Sequence, residues 1–312
     1  PSSGFTSLLV NRGSLNNKGV ELALNGTLID KNDFSIDIGG NIAFNKSKIQ
    51  NLGGTPEDIY INGNIENRVF YRGQNISTGN YFRAPANIFM EGEEVGLFYG
   101  FETDGIYQTE DVITVSGAQA GDLRIVDQNG DDAITEADRT IIGNPNPDFV
   151  YGGYLSMNYK RLNLSIQMNG VYGNEIANGN SIQLGTAEGR SANILSQAYN
   201  NAWRPDAQSN TYPRVGYSRE SGSPAITDRI IEDGSFLRIS NITLGYDIPV
   251  EKTTVFSSAN VYVTGMNLFT FTDYSGYNPE ITNFMNNGNI VGVDWNGFPN
   301  AQTIMLGLNL KF

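Results

Sequence analysis

The chain is 312 residues long, carries a net charge of −13 and contains neither cysteine nor histidine. Disulfide frameworks and thiolate chemistry are therefore absent, as are the commonest general base and the commonest transition-metal ligand. The acidic balance also argues against nucleic acid as a partner. No charged-then-apolar leader and no run of about 18 apolar residues occurs, so neither a signal peptide nor a membrane helix is expected. The chain starts at Pro1 and is expected to be a fragment. The mean hydropathy of −0.30 is compatible with a membrane location, because only alternate residues of a barrel strand face lipid.

Residues 1–17 are rich in Ser, Gly and Asn and read as a loop. Val20, Leu22, Leu24 and Leu28 then alternate with Glu21, Ala23, Asn25 and Thr27, with Gly26 in the apolar register. Asp30-Lys31-Asn32-Asp33 supplies turn chemistry. Phe34, Ile36, Ile38, Ile42 and Phe44 alternate with Ser35, Asp37, Gly39, Asn41 and Ala43. The pattern predicts a hairpin whose arms exceed the five or six residues usual in soluble proteins and match a membrane-spanning strand. Glu21, Asn25, Asp37 and Asn41 share the opposite face. A second sheet could bury them only at a cost, whereas a water-filled lumen accepts them.

The unit recurs. Phe149 to Tyr159 and Leu162 to Tyr172 alternate about a tight turn near Lys160-Arg161. Ile242 to Ile248 and Val261 to Phe271 form a third pair around Pro249, and a phase break at 236–241 predicts a bulge or a rise above the membrane. The last strand is AQTIMLGLNLKF, with Ile304, Leu306, Leu308, Leu310 and Phe312 on one parity. Long connections at about 46–148, 174–235 and 273–300 separate these short-turned pairs, the asymmetry of outer-membrane barrels. Parity requires an even number of crossings between Phe44 and Phe149. The apolar run 95–107 is therefore expected outside the membrane, extending another strand or pairing within 59–90. One helix is expected over roughly Ser191 to Trp203, stopped before Pro205.

One segment carries metal chemistry. In Asp127-Gln128-Asn129-Gly130-Asp131-Asp132-Ala133-Ile134-Thr135-Glu136-Ala137-Asp138, oxygen-bearing side chains fall at positions 1, 3, 5 and 12. Ala133 would add its carbonyl at position 7, giving the ligand spacing of a calcium loop. Asp132 stands at position 6, where Gly is usual, and Asp138 at position 12 is shorter than Glu. The expected ligands are Asp127, Asn129, Asp131, Ala133 and Asp138, holding Ca²⁺ (or Mg²⁺) in a structural role. The competing reading is a solvated acidic turn. No catalytic set is legible. The adjacent carboxylates Glu93-Glu94, Asp131-Asp132 and Glu232-Asp233 give no sign of facing a common substrate, and an enzyme is not expected. Trp203, Tyr274, Tyr277 and Trp295 lie in or beside long loops and are weak candidates for stacking on a substrate; for each, packing the loops together is the blander reading.

Six stretches together resemble one family. They are NKGVELAL at 17–24, NIAFNKSKI at 41–49, EEVGLFYGFETDGIYQ at 93–108, GDLRIVDQNGDDAITEADRTIIGNPNPDFVYGG at 121–153, FLRISNITLGYDIP at 236–249 and VYVTGMNLFTFTDYSGYNPE at 261–280. With the terminal Phe312, they resemble the C-terminal part of SusC-like TonB-dependent outer-membrane transporters of Bacteroidota. The resemblance implies an all-β fold: the C-terminal part of a large antiparallel transmembrane β-barrel of about 22 strands with a plugged lumen. About seven spanning strands would lie in residues 1–312. Residues 108–148, with the acidic motif, and 174–235 would be extracellular loops. It further implies import of glycan oligomers or peptides, energy relayed by TonB through an N-terminal plug outside this chain, a SusD-like surface lipoprotein as lid, and outer-membrane lipid around the wall. The alternatives are a passive porin-like channel and a soluble calcium-binding β-protein that binds carbohydrate.

Overall fold

The computed structural model describes residues 13–77, 83–186, 193–215, 226–250, 255–281, 288–295 and 297–312. Seven long strands form one antiparallel sheet in chain order. They are β1 (Ser14–Lys31), β2 (Phe34–Asn51), β3 (Phe149–Tyr159), β4 (Leu162–Tyr172), β5 (Phe236–Ile248), β6 (Ser258–Thr272) and β7 (Thr303–Lys311). Every strand expected from alternation is present. Tight turns join β1 to β2 and β3 to β4. At the second of these, Lys160 takes a left-handed φ of 55° and its amide donates to the Asp33 carbonyl at 2.8 Å, tying neighbouring turns together.

Pairing aligns the alternation into rows. Ile36, Met157, Leu164, Leu244, Val263 and Leu306 run side by side across β2 to β7. Phe34, Tyr159, Leu162, Tyr246, Val261 and Leu308 form the row below. Among the described residues nothing covers this face: Leu24 is 81 % exposed, Leu306 77 % and Leu308 57 %. An apolar surface of this extent is not sustained in water and calls for a lipid surrounding. Aromatic rings gather at both ends of it. Phe149 stacks on Tyr172 at 4.9 Å and meets Phe44 at 5.5 Å at the upper end. Phe34 meets Tyr159, and Phe256 meets Phe312, at the short-turn end. From Phe149 to Tyr159 an extended strand covers about 33 Å, which at the usual barrel tilt gives an apolar band about 25 Å tall.

The expected phase break is a bulge. Gln167 pairs with Asn241 but Met168 with Ile239, so Ser240 is extra against β4. Against β6 the register shifts at the same place, where Asn267 adopts φ 54°. The bulge restores phase, keeping Leu237 and Ile239 on the apolar face.

The buried core lies in a cap built from the long connections. Leu97–Phe101 sits outside the wall, in a four-stranded sheet with Arg139–Gly143, Asn87–Met90 and Phe70–Arg72. The 95–107 run therefore pairs within 59–90, at Asn87 and Ile88, and also with Arg139–Gly143 and Leu123–Ile125. Ile59, Ile88, Met90, Leu97 and Tyr99 form one buried cluster; Phe98, Ala177, Ile226, Ile230 and Val293 belong to another. The helix expectation needs correction. The described α-helices are Gly179–Thr186 and the short Ser196–Asn200, and the first part of the expected span lies outside the described residues. Among the described residues no helix is long and apolar enough to cross a membrane.

Replacing Ile166 by Arg, on the apolar face near mid-height, is expected to destabilise the full-length protein in bilayers by about 2–4 kcal/mol. Its neighbour Ser165→Arg, on the other face, should cost much less. Urea unfolding in lipid vesicles reads the difference.

Candidate functional site

The second face of the wall is polar and equally well aligned. Asp37, Ser156, Ser165, Thr243 and Thr264 form one cross-strand row. These side chains bond to one another along the face. Thr27 Oγ1 donates to Asp37 Oδ1 at 2.6 Å, and the Thr243 and Thr264 hydroxyls lie 2.8 Å apart. Asn158 donates to Ser35, Asn163 to Asn158, and Asn260 to Asp247 at 2.8 Å. Such a surface suits water or a polar cargo and offers no dry core.

Arg238 is the buried charge on this face, 4 % exposed. Its guanidinium donates to Thr270 Oγ1 at 3.1 Å on β6 and to Asn278 Oδ1 at 3.0 Å, and it pairs with Glu280. One side chain thus fastens the connection between β6 and β7 to the wall. The cap is fastened at β2 as well: Ile49 N donates to Glu93 O at 2.9 Å, and Gly92 N donates to Ile49 O at 2.7 Å. Composition and periodicity did not single out Arg238. The available signal was a charged residue between the apolar Leu237 and Ile239 in the phase-broken upper part of the strand.

The acidic loop hangs from the cap. Asp127 accepts from the amides of Gly130 at 2.7 Å and Asp131 at 3.3 Å through Oδ1, and of Asp132 at 2.7 Å through Oδ2. Burial pushes the Asp127 carboxyl up, but these three amides outweigh it and hold the group below its usual value. A lowered folded-state pKa means that this contribution is present above the ordinary value of 3.8 and is lost as pH falls through the lower folded value. Asn129 Oδ1 accepts from Asp131 N and Asp131 Oδ1 from Ala133 N, each closing a two-residue turn. Asp132 holds φ 61°, the left-handed conformation that favours Gly at position 6. Asp138 is fully buried and accepts from Gln128 N and Thr135 N at 2.9 and 2.7 Å. Glu136 then bridges Arg72 and Arg139, joining the loop's end to the cap sheet. Among the described residues no three Asp, Glu, His or Cys side chains gather as a ready-made metal cluster. The sequence-derived set has three carboxylates, Asp127, Asp131 and Asp138; its other two donors are an amide and a carbonyl.

The four candidate aromatic residues are not brought together. Trp203 is 7 % exposed, and its indole N–H donates to Gln108 Oε1 at 3.1 Å. Tyr274 is 5 % exposed and donates to Asp294 Oδ2 at 2.6 Å; burial and that carboxylate push its phenol well above the usual range. Trp295 is half-buried against Gly179, where even a Cβ would collide with the indole. These three rings pack against the cap, in line with the blander of the two readings offered for them. Tyr277, 79 % exposed, presents a free ring.

No protein-family model matches the chain. Over 99 % of its length it is 33 % identical to TonB-dependent receptor P3 of Formosa agariphila. Over 97 % it is 30 % identical to TonB-dependent receptor SusC of Bacteroides thetaiotaomicron. The chain is a SusC-like barrel segment. It spans 30 % and 27 % of those two relatives. The solved RagAB peptide transporter matches the whole SusC-like segment with a TM-score of 0.73 at 24 % identity, covering 31 % of that chain, and supports the fold.

Exchanging Arg238 for Met should release the β6–β7 connection from the wall of the SusC-like segment. The loss of one buried charge-assisted bond set is about 1–3 kcal/mol. Hydrogen exchange should quicken at residues 273–281, while β3 and β4 stay protected.

Proposed function

We propose that the SusC-like segment is part of the wall and outer cap of an energised nutrient importer in the outer membrane. The single observation that carries this reading is the two-faced sheet. It has uncovered aliphatic rows on one side and hydrogen-bonded hydroxyl and amide rows on the other, in a chain similar along its length to TonB-dependent receptors. β1 and β7 are the edges of the sheet, and a sheet in lipid cannot leave its edge amides bare. The rest of such a protein would supply the remaining strands, the plug and the contact with TonB. The cap would face the outside and meet a SusD-like lipoprotein lid. Cargo would be glycan oligomers or peptides; SusC is named a TonB-dependent receptor and RagAB a peptide transporter. Chemistry on the cargo is not part of the proposal. If the reading holds, deleting tonB stops uptake while binding to the purified transporter persists. Uptake that continues at the wild-type rate without TonB contradicts it and favours a passive channel.

A structural cation at the acidic loop is a second part of the proposal. The observation favouring it is the left-handed Asp132 together with the turns closed by Asp127, Asn129 and Asp131. This curl places alternate oxygens along the loop, as a hard cation requires. Asp127, Asn129, Asp131, the Ala133 carbonyl and Asp138 would hold Ca²⁺ or Mg²⁺, and the ion would stiffen the loop. Calorimetry of the full-length protein with CaCl₂ should show a site of about 0.1–1 mM affinity, typical of extracellular loops. The heat should vanish in Asp127→Ala. No heat at 10 mM (roughly ten times the weaker limit) contradicts the assignment.

A further inference from the structure

Three short cap segments, Glu175–Asn178, Ile231–Asp233 and Val293–Asp294, form a sheet with Glu175–Asn178 in the middle. Ile176 pairs with Glu232 on one side, and Asn178 pairs with Asp294 on the other. Residues two apart on a strand share a face, so Glu232, Asn178 and Asp294 lie on one face in that order. Tyr274 and Ser275, just beyond the end of β6, bond to the two carboxylates. The Tyr274 hydroxyl donates to Asp294, as described above. Ser275 donates to Glu232 through its amide at 2.8 Å and its hydroxyl at 2.9 Å.

Two buried groups on this face lack a counterpart. Asp294 is 2 % exposed and accepts only from neutral donors, the Tyr274 hydroxyl and the Gly297 amide at 3.0 Å. Among the described residues no lysine or arginine pairs with it. Asn178 is 5 % exposed. Its Nδ2 donates to Glu232 Oε1 at 2.8 Å and to Ser275 Oγ at 3.1 Å, on the Ile231–Asp233 side. Its Oδ1, on the other arm of the amide, is buried and accepts no hydrogen bond. With the nitrogen turned to Glu232, the oxygen is left to the side of Asp294. A carboxylate and an amide oxygen buried side by side repel each other, and burial without a partner costs each of them. Glu232 differs: it is half-buried, and both of its oxygens accept hydrogen bonds.

We propose that a small monovalent cation, Na⁺, is held between Asn178 Oδ1 and the Asp294 carboxylate. All the donors on offer are oxygens, which suit a hard cation, and the one unmatched buried charge calls for one positive charge. The Tyr274 oxygen, having given its proton to Asp294, keeps lone pairs on the same side. A water would satisfy both oxygens by donating to them but would leave the charge of Asp294 unmet. Val293–Asp294 meets Glu175–Asn178 over only two residue pairs. The ion adds to that short pairing and so fastens the β6–β7 connection to the cap, as Arg238 fastens it to the wall. This site is separate from the acidic loop, and the inference rests neither on that loop's cation nor on the import reading.

The test is hydrogen exchange of the full-length protein in detergent, in NaCl and in N-methyl-D-glucamine chloride of equal ionic strength, both with EDTA to strip divalent ions. Amides at 175–178 and 293–295 should exchange about fivefold or more slowly in NaCl, as an ion at several times its dissociation constant predicts. β3 and β4 should exchange alike in the two salts. Asp294→Asn keeps an oxygen for the Tyr274 hydroxyl but removes the charge, and should abolish the sodium effect. Should that variant not fold, the comparison of salts on the unaltered protein still decides. Equal exchange at 175–178 and 293–295 in the two salts overturns the site, as does slowing that spreads evenly over β3 and β4 or that Asp294→Asn retains. Protection of these amides by CaCl₂ but not by NaCl, in Asp127→Ala, overturns the monovalent assignment.

Discussion

Satisfying the backbone without water is the constraint on which this structure depends. A peptide group left unpaired in hydrocarbon costs several kcal/mol, so a sheet crossing a bilayer must carry its pairing through the full apolar height. β2 through β6 do so, each bonded on both sides through the apolar band. Register then decides the rest, because the side-chain period is two and one slip would turn every aliphatic residue inward. The bulge at Ser240 shows the constraint at work: an extra residue is absorbed locally so that Leu237 and Ile239 rejoin the apolar face.

Two solvents meet in the one chain, and its side chains are sorted accordingly. In the wall the greasy residues face out and the hydroxyls and amides line the other side. In the cap the order is that of a water-soluble protein, with Phe98, Ala177, Ile226 and Val293 buried together. The two regimes are bolted by a few polar contacts. Arg238 binds the β6–β7 connection, and the rise of β2 bonds to Gly92 and Glu93. The Glu136 carboxylate, between Arg72 and Arg139, carries the acidic loop into the same framework. A ligand or ion held in the cap would therefore act on parts already coupled to the wall.

The wall was legible because alternation is a strong, local signal that lipid enforces residue by residue. All seven strands, both tight turns and the bulge follow from it. The placement of 95–107 followed from counting crossings, which is topology rather than propensity. The cap was far less legible. Gly179–Thr186 reads GNSIQLGT, with too little apolar periodicity to announce a helix, and tertiary packing against the cap decides its form. For Trp203 and Tyr274 sequence left packing and ligand stacking both open, because it gives no view of what lies above a loop residue; the structure closes Gln108 and Asp294 over them. The acidic loop was readable as a spacing. Its left-handed Asp132 shows that a residue other than Gly can hold that bend when neighbouring carboxylates accept the turn's amides.

Residues 1–312 contain no cysteine, so once any cysteines elsewhere in the full-length protein are replaced, one measurement is clean. Single cysteines placed in turn at residues 303–311 of the full-length protein, in intact outer membranes, can be challenged with a membrane-impermeant maleimide and a lipid-soluble one. The account predicts strict alternation. Positions 304, 306, 308 and 310 should react only with the lipid-soluble reagent, and 305, 307 and 309 with the water-soluble one when the lumen is open to it. If 304, 306, 308 and 310 all label readily with the impermeant reagent, β7 does not face lipid and the wall as described is wrong.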